Sequence, residues 1–332
     1  MRENDIHIVT GGAGFIGSNV AASLDDQGQD IVIVDTLGSD DTKWRNIAKR
    51  RVVDIIGPED LQRFLHGRQK IESIMHLGAI STTTEKDVDL ILKNNFRLSV
   101  DLWNWSKENG TPFVYASSAA TYGDGEHGFV DNFESRSLSQ LRPLNPYGWS
   151  KHVFDRWVHA EQQSDRGEPP KWSGLKFFNV YGPNEYHKAG QRSVAVQLYE
   201  QISSAGVARL FKSDNPDYPD GGQIRDFVWV QDCVDVALWA LASNAPNSVY
   251  NVGSGTGRTF EDKARIIFDL LDKPVSIDFI ELPTALRGKY QYFTLASLEN
   301  LRQAGYSQPL TSLEDGLSAY VHRYLTQKDP FR

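Results

Sequence analysis

Short apolar runs alternate with longer amphipathic stretches along the first part of the chain. Residues 6–9, 31–34, 74–76 and 113–116 form runs of the length that buried strands have. Residues 15–27 and 87–108 place apolar side chains at helical spacing, and residues 146–162 do so behind Asn145, with Pro146 in the first helical position. Because strands that alternate with helices form βαβ units, this pattern predicts a doubly wound parallel sheet.

The pattern changes after about residue 180. A strand predicted over residues 175–179 would complete six parallel strands, and residues 182–192 and 213–223 are rich in Gly, Pro, Asn and Asp, which predicts loops. Shorter elements are predicted over residues 194–203, 249–252, 260–271 and 313–325. We therefore predict a large domain over residues 1–180, which segments near 225–255 rejoin, and a smaller α/β domain over 181–332 that covers a cleft.

Composition restricts the classes of partner. The 332 residues are 40% hydrophobic, which suffices for a substantial core, and no apolar run approaches the roughly 20 residues that span a bilayer. With no leader-like segment, a cytoplasmic location is expected. Cys233 is the only cysteine, which excludes an internal disulfide and a thiolate-rich metal site. The net charge of −8 argues against a nucleic-acid surface, so the expected partner is a small molecule.

A glycine-rich turn follows the first predicted strand and opens the first predicted helix. Gly11 permits a tight turn, Gly14 lets the backbone approach a pyrophosphate, and Gly17 allows the helix to pack closely on the sheet. The helix N-terminus at Phe15 and Ile16 adds oriented N–H groups for an anion. Strand, turn and helix in this order predict a Rossmann-type dinucleotide site.

The identity of the dinucleotide stays open at this level. Asp35, followed by Thr36, ends the second predicted strand, where an acidic residue accepts hydrogen bonds from the adenosine ribose and favours NAD. Cations follow closely and could instead hold the 2′-phosphate of NADP, or form a solvated helix face. These cations are Lys43, Arg45, Lys49, Arg50 and Arg51.

The third predicted helix carries a candidate proton-transfer pair. Tyr147 and Lys151 lie four residues apart and share one helix face, so we expect the ammonium to lower the pKa of the phenol and to hold the nicotinamide ribose. Ser118 lies at the carboxyl end of a predicted strand, where open α/β sheets bind ligands. It is expected to donate a hydrogen bond to the substrate oxygen while Tyr147 removes the proton.

Two further segments suit the edge of a cofactor site. Leu77, Gly78 and Ala79 follow the strand that ends at His76, and small residues there would accommodate a cofactor. We interpret His76 itself as a core histidine with satisfied hydrogen bonds rather than as a ligand. Asn94 and Asn95 interrupt a long helix in which asparagine is a poor helix former, so at least one is expected to make a specific hydrogen bond.

Together these residues resemble the extended short-chain dehydrogenase/reductase family over nearly the whole chain, and within it the epimerases that act on an ADP-linked heptose. The motifs that carry the resemblance are residues 81–85 (STTTE), 116–123 (ASSAATYG), 178–183 (FNVYGP), 185–188 (EYHK), 225–228 (RDFV) and 288–291 (GKYQ). The resemblance implies inversion at C6 of the heptose, D-glycero to L-glycero, by transient oxidation to a ketone with bound NADP and return of the hydride to the opposite face. This reaction supplies heptose for the lipopolysaccharide core.

The resemblance also implies roles for individual residues. Lys188 is the second acid/base beside Tyr147, with Ser118 and Lys151 completing the catalytic set. The implied cofactor site comprises Gly11, Gly14, Phe15, Ile16, Gly17, Asp35, Thr36, Lys43, Leu77, Gly78, Ala79, Ser81, Asn94, Tyr147, Lys151, Val180 and Lys188. The implied substrate site comprises Ser118, Asn179, His187, Phe211, Lys212, Ser213, Arg225 and Tyr290, where the Arg225 guanidinium suits a pyrophosphate. The resemblance further suggests a homo-oligomer, with a pentamer as one arrangement.

Two other functions compete with this interpretation. Another nucleotide-sugar enzyme of the same family is the nearer one, although a dehydratase needs an acid beside the catalytic serine and Ala119 and Ala120 supply none. A non-catalytic dinucleotide-sensing protein is the other, and such a protein is expected to lack Tyr147 or Lys151, which are both present.

Overall fold

A seven-stranded parallel sheet forms the centre of the protein. The computed structural model describes residues 6–39, 42–67, 70–284 and 290–332. The strands are β1 (Ile6–Thr10), β2 (Asp30–Val34), β3 (Asp54–Ile56), β4 (Ile71–His76), β5 (Phe113–Ser118), β6 (Trp172–Phe177), β7 (Asn179–Tyr181), β8 (Ala208–Phe211), β9 (Ile224–Trp229), β10 (Ser248–Val252), β11 (Gly257–Thr259) and β12 (Ile277–Ile280). The large sheet has the order β10-β6-β5-β4-β1-β2-β3, and every pair in it is parallel. The predicted fold class is confirmed.

The helices cover both faces of this sheet, as βαβ connections require. They are α1 (Phe15–Asp26), α2 (Leu61–Leu65), α3 (Val88–Leu92), α4 (Leu98–Asn109), α5 (Ser135–Gln140), α6 (Pro146–Gln162), α7 (Val194–Ala205), α8 (Val230–Ala242), α9 (Phe260–Leu270), α10 (Glu299–Gln303) and α11 (Leu313–Tyr320). Helix α6 has the predicted bounds because Asn145 caps it, its side chain accepting a hydrogen bond from the Gly148 N–H at 2.8 Å.

Two predicted elements are wrong in detail. The strand predicted over residues 175–179 is two strands, because β6 ends at Phe177 in the large sheet while β7 pairs with β9 in a small one. The helix predicted over residues 87–108 is interrupted between α3 and α4 by a π-helical segment, Lys93–Arg97, which contains both asparagines. Apolar spacing does not reveal either change, since the side chains remain buried at similar intervals.

The topology puts a binding edge between two central strands. The chain crosses from one side of the sheet to the other between β1 and β4, which are neighbours. Ligands bind open α/β sheets outside the carboxyl ends of strands at such a reversal. Thr10 and His76 end these two strands, so the glycine turn and the segment from Leu77 to Ala79 meet at one edge.

The smaller lobe is built on short strands and on helices α7, α9 and α11. Strands β11, β9 and β7 form one sheet and strands β12 and β8 form another. A separate apolar cluster, including Tyr181, Phe227, Phe268 and Leu317, fills this lobe. No helix in the described ranges is long and apolar enough to cross a bilayer.

Residues 329–332 dock against the large domain. The Phe331 side chain is buried and its ring lies 5.2 Å from that of Tyr186. The Arg332 guanidinium donates hydrogen bonds to the Ser23 hydroxyl at 2.8 Å and to Gln231 Oε1 at 2.6 Å. The last residues of the chain thereby connect α1 with α8.

Candidate active site

One cavity of about 920 Å³ lies at the carboxyl ends of the central strands. It contains every residue predicted to bind the cofactor and all four residues predicted to be catalytic: Gly11, Gly14, Phe15, Ile16, Gly17, Asp35, Thr36, Lys43, Leu77, Gly78, Ala79, Ser81, Asn94, Ser118, Tyr147, Lys151, Val180 and Lys188. Of the predicted substrate residues, Ser118, Asn179 and His187 line it. The structure therefore brings residues from nine separate stretches of sequence together where the sheet edge and the small lobe meet.

The glycine turn has the tight geometry that a dinucleotide needs. Gly11 has a φ of 66°, and a Cβ atom there would lie 2.6 Å from the Gly78 Cα atom. A Cβ on Gly17 would lie 2.1 Å from the Gly11 carbonyl oxygen. No side chain caps α1, whose N-cap is Gly14, so its first N–H groups are available to an anion. The site fits a dinucleotide pyrophosphate.

The adenosine end of the site is marked by an ion pair. Asp35 Oδ1 lies 2.7 Å from Lys43 Nζ, and Asp35 Oδ2 accepts a hydrogen bond from the Ala13 N–H at 3.0 Å. The Lys43 ammonium also donates to the Thr36 carbonyl oxygen at 2.7 Å. An acidic and a basic group are thus both present where a ribose 2′-oxygen is expected.

The other cations of the basic segment point elsewhere. Lys49 pairs with Asp329 at 2.8 Å and donates to the Phe331 carbonyl oxygen at 2.6 Å. Arg50 pairs with Asp26 at 2.9 Å on α1. Lys43 is therefore the member of this segment that lines the cavity, and the expectation of a shared phosphate-binding cluster is wrong for Lys49 and Arg50.

A buried asparagine fixes the helix that carries Tyr147. Asn95 accepts a hydrogen bond from the Ile80 N–H at 2.8 Å and donates to the Ser150 hydroxyl at 3.0 Å. The Ser150 hydroxyl in turn donates to the Tyr147 carbonyl oxygen at 2.7 Å. The prediction that one of the two asparagines makes specific hydrogen bonds is confirmed for Asn95, and π-helical segments of this kind are frequent at functional sites.

Tyr147, the predicted catalytic tyrosine, is half-buried beside Ser118. Ser118 hydrogen-bonds to the Tyr147 phenol, and this bond partly opposes burial, which raises the pKa of Tyr147. Burial lowers the pKa of Lys151 to about 8, while the Asp155 carboxylate acts in the opposite direction. The expectation that the pKa of the phenol is lowered is therefore wrong, because desolvation of the phenolate outweighs the hydrogen bond with Ser118.

His76 is a core residue, as predicted. Its Nδ1 lies 2.7 Å from the Thr10 hydroxyl and its Nε2 lies 2.8 Å from the Ser99 hydroxyl. Burial, and secondly the charge of Lys151, lower the pKa of His76 to about 3. The histidine is neutral at physiological pH and ties strands β1 and β4 to helix α4.

Lys188 enters the cavity from the segment Tyr186–Gln191. Its ammonium lies 5.6 Å from the centre of the Phe15 ring, at the start of α1. Burial lowers the pKa of Lys188, and the nearby Glu185 carboxylate opposes that shift. The next residue, Ala189, has a φ of 47° and a ψ of −125°, a conformation that costs a non-glycine residue free energy and persists only where the surroundings impose it.

His187 lies on the cofactor side of the cavity rather than with the other predicted substrate residues. Its Nδ1 is 3.1 Å from the amide nitrogen of Asn46, which also donates to the Ala13 carbonyl oxygen at 2.8 Å. Burial lowers the pKa of His187 to about 4, and the charges of Lys43 and Lys188 act in the same direction. Asn46 could not be predicted from the sequence, since a single asparagine in a basic segment has no distinctive spacing.

The remaining predicted substrate residues form a separate group. The Arg225 guanidinium is buried between the rings of Phe260 and Tyr290, at 5.5 and 5.1 Å from their centres, and it donates to the carbonyl oxygens of Ile224 and Gln291. Phe211 contacts Tyr290, whereas Lys212 pairs with Glu281 at 2.8 Å and Ser213 bonds within its own loop. None of Phe211, Lys212, Ser213, Arg225 and Tyr290 is among the described residues that line the cavity.

Asp226, the neighbour of Arg225 in sequence, is held by backbone donors. The Asp226 carboxylate accepts hydrogen bonds from the Ser254 and Ala296 N–H groups, at 2.6 and 3.0 Å. Asp226 thus holds the loop after β10 in place. Two residues of the predicted motif over 288–291, Gly288 and Lys289, lie outside the described residues.

Comparison with known proteins agrees with this geometry. The model of the NAD dependent epimerase/dehydratase family matches residues 7–253. The chain belongs to the NAD dependent epimerase/dehydratase family. The resemblance stated from the motifs is confirmed, and the family match spans the large sheet from β1 to β10.

Within the NAD dependent epimerase/dehydratase family the chain is similar to heptose epimerases. It is 47% identical over 330 residues to the ADP-L-glycero-D-manno-heptose-6-epimerase of Nitratidesulfovibrio vulgaris, covering 98% of this chain and 100% of that protein. It is 43% identical to the enzyme of that name from Fusobacterium nucleatum, covering 98% and 99%. The crystal structure of the Helicobacter pylori ADP-L-glycero-D-manno-heptose-6-epimerase superimposes with a TM-score of 0.79 at 27% identity, covering 97% of this chain and 96% of that one.

Proposed function

We propose that the protein inverts C6 of the heptose in ADP-glycero-manno-heptose, from the D-glycero to the L-glycero epimer. The observation that supports this is the presence of two acid/base groups, Tyr147 on α6 and Lys188 on a different element, in one cavity. Relatives that are 47% and 43% identical over nearly the whole chain bear the name of this activity. The protein is thus an enzyme of the isomerase class.

The chemistry of the inverted carbon explains why a redox cofactor is needed. A carbinol carbon without an adjacent carbonyl has no acidic C–H bond, so removing a proton from carbon cannot invert it. A bound nicotinamide dinucleotide supplies a reversible two-electron oxidation, which makes this carbon a planar ketone that can be reduced from either face.

The residues of the chain handle the proton on oxygen. In the proposed reaction Tyr147, as the phenolate, removes the hydroxyl proton while Ser118, which already hydrogen-bonds to the phenol, holds the substrate oxygen. After the ketone turns in the pocket, its oxygen faces Lys188, which donates the proton that completes the inverted alcohol. Because burial lowers the pKa of Lys188, the ammonium is a better acid there than in water.

For the dinucleotide we propose NADP, with NAD as the alternative. The family is NAD dependent by name, which supports the alternative. Lys43 supports NADP because its ammonium lies at the cavity edge, where a 2′-phosphate is expected. Asp35 supports NAD for the reason given above, and the two side chains compete for the same ribose position. Mass spectrometry of the ligand released on denaturing the purified protein distinguishes NADP from NAD directly.

In the proposed function the two lobes bind different ligands. Residues 1–180, with the returning segment that includes β10, would hold the dinucleotide, and residues 181–332 would chiefly bind the nucleotide sugar. The pairing of β10 with β6 supports the return of the chain to the first domain. A homo-oligomer and a cytoplasmic location are further expectations, which light scattering and cell fractionation test.

The decisive experiment is conversion of the substrate itself. Purified protein incubated with ADP-D-glycero-D-manno-heptose should yield an equilibrium mixture of the two C6 epimers, separable by chromatography and distinguishable by proton NMR. UDP-glucose is the matched control for a 4-epimerase of the same family. Conversion of UDP-glucose with no change in the heptose would show that the protein is a different nucleotide-sugar epimerase, and turnover of neither would favour a dinucleotide-sensing protein.

A reaction run in deuterium oxide tests whether inversion at C6 proceeds by hydride transfer. If the hydrogen on C6 leaves and returns with the cofactor, product formed in deuterium oxide should contain no deuterium on carbon. Incorporation of deuterium at C6 would point to enolisation instead.

A further inference from the structure

The cavity contains a second buried lysine that the proposed chemistry does not use. Lys263 lies on the first turns of α9, and its side chain is 1% exposed while still lining the cavity. Its ammonium lies 3.3 Å from the centre of the Phe227 ring and 4.9 Å from that of Tyr181. The side chain is therefore held between two aromatic faces at the cavity wall.

Lys263 has no acceptor in the described part of the protein. Its contacts there are the two aromatic rings, with no ion pair and no hydrogen bond. Lys176, a buried lysine that does not line the cavity, shows what a structural ammonium has, because it pairs with Asp155 at 2.8 Å and donates to the Thr121 hydroxyl at 2.7 Å. A buried ammonium without an acceptor costs free energy that a structural role would not justify.

The pKa of Lys263 is consistent with a binding site whose anionic ligand completes it. Burial lowers the pKa of Lys263 to about 7, and the more distant Glu185 carboxylate opposes that shift. The aromatic faces favour the charged form modestly. An anion that entered the cavity would raise the pKa of Lys263 again and would supply the missing acceptor.

The position of Lys263 indicates whether the dinucleotide or the substrate supplies the acceptor for its ammonium. The residues of the dinucleotide cradle belong to β1, α1 and β2, whereas Lys263 belongs to α9 and leans on Phe227 of β9. Phe227 is the register partner of Asn179 on β7, a predicted substrate residue. Lys263 therefore faces the part of the cavity that is left for the substrate.

We propose that Lys263 binds the diphosphate of the nucleotide-sugar substrate, an inference that rests on the proposed function. In a neutral sugar linked to a nucleotide, the diphosphate is the anionic group, and its oxygens match an ammonium that has no acceptor among the described residues. Arg225, to which the motifs assigned that role, has its guanidinium occupied by two carbonyl oxygens and two rings. Lys263 is a substrate-positioning residue and not a proton donor.

The test compares Lys263→Met with Lys273→Met in the holoenzyme saturated with dinucleotide. Lys273 lies in the same lobe and donates to the carbonyl oxygens of Ile202 and Ser203, away from the cavity. Titration calorimetry measures binding of ADP, UDP and adenosine. We expect Lys263→Met to weaken ADP binding by roughly 10- to 100-fold, the effect of losing one hydrogen bond to a charged group, and to leave adenosine binding unchanged.

Measurements of kinetic constants and of the melting temperature distinguish a role of Lys263 in substrate binding from a role in packing. The KM for the nucleotide sugar should rise by a similar factor with kcat little changed, and the melting temperature of Lys263→Met should not fall. Unchanged ADP binding, or equal weakening of ADP and adenosine, would overturn the inference. A wild-type enzyme that prefers UDP, with affinity that depends on Lys263, would support Lys263 while contradicting the ADP-heptose function; binding of neither diphosphate would overturn both.

Discussion

The Lys43 ammonium and the Asp35 carboxylate form an ion pair, with Nζ and Oδ1 2.7 Å apart, at the point where β2 reaches the cavity. The carboxylate is also held by the Ala13 and Thr36 N–H groups, at 3.0 and 2.8 Å. Three donors therefore fix Asp35, and only Lys43 among them belongs to a flexible side chain. Movement of the Lys43 side chain would decide which cofactor binds. The ribose hydroxyl of NAD needs the Asp35 carboxylate as acceptor, and the 2′-phosphate of NADP needs the Lys43 ammonium.

Replacement of Lys43 tests this choice. Lys43→Met should weaken NADP binding by roughly 10- to 100-fold, as expected for loss of one charge-assisted hydrogen bond, and should affect NAD much less. Lys49→Met removes a cation from the same segment but outside the cavity, and should change neither affinity. Fluorescence titration of both dinucleotides gives the ratio, and an equal loss for NADP and NAD would contradict a phosphate-binding role.

Removal of one oxygen atom tests Tyr147. Tyr147→Phe should reduce the rate of epimerisation by roughly 10²- to 10⁴-fold, because the hydroxyl proton of the substrate loses its acceptor. Dinucleotide content, measured by absorbance and mass spectrometry, should be nearly unchanged. Tyr199→Phe, which removes a phenol that donates to the Leu325 carbonyl oxygen outside the cavity, is the matched control. A fully active Tyr147→Phe enzyme would refute its role as acid/base.

Lys188 should be needed for inversion but not for folding. Lys188→Met removes the ammonium and keeps most of the apolar stem, and we expect loss of epimerisation by roughly 10²-fold or more with an unchanged circular dichroism spectrum. Lys328→Met, at an exposed position, is the control for removal of one cation. If the epimerisation rate of Lys188→Met equals that of the wild type, Lys188 is merely a residue of the loop.

The lowered pKa of His76 leads to a prediction of how the free energy of unfolding depends on pH. In the folded protein its pKa is lowered to about 3 from an ordinary value of 6.5, so below pH 6.5 the unfolded chain binds a proton that the folded chain does not. The free energy of unfolding contributed by this group is fully present above pH 6.5. It falls by up to about 1.4 kcal/mol per pH unit as the pH is lowered toward 3.

His76→Gln should remove that contribution to the slope. The variant is expected to be less stable than the wild type at pH 7.5, because two buried hydrogen bonds change, yet its free energy of unfolding should decline less steeply between pH 6 and 5. Urea unfolding at several pH values measures both, with the exposed His66→Gln as the control. An identical slope in His76→Gln and the wild type would mean that His76 does not stay neutral in the folded state.

Features that depend only on neighbouring residues could be predicted from the sequence. The glycine turn, the start of α6 at Pro146, and the spacing of Tyr147 and Lys151 are all set within a few residues, because a turn, a cap and one helical repeat are local structures. The split between β6 and β7 and the π-helical segment around Asn95 depend on which distant strand or helix lies alongside. No local pattern encodes those neighbours.

The sequence by itself determined the class of sheet. It also predicted the glycine turn and the tyrosine, serine and lysine that the structure brings into one cavity, since each rests on periodicity or on fixed spacing. Only the tertiary structure decided which charges face the cavity. It turned Lys43 toward Asp35 and Lys49 toward Asp329, enclosed Arg225 between two rings, and left Lys263 buried with no acceptor in the part of the chain that the structure describes. The physical reason is that the free energy of a charge depends on desolvation and on partners far away in sequence, and both exist only once the lobes have packed together.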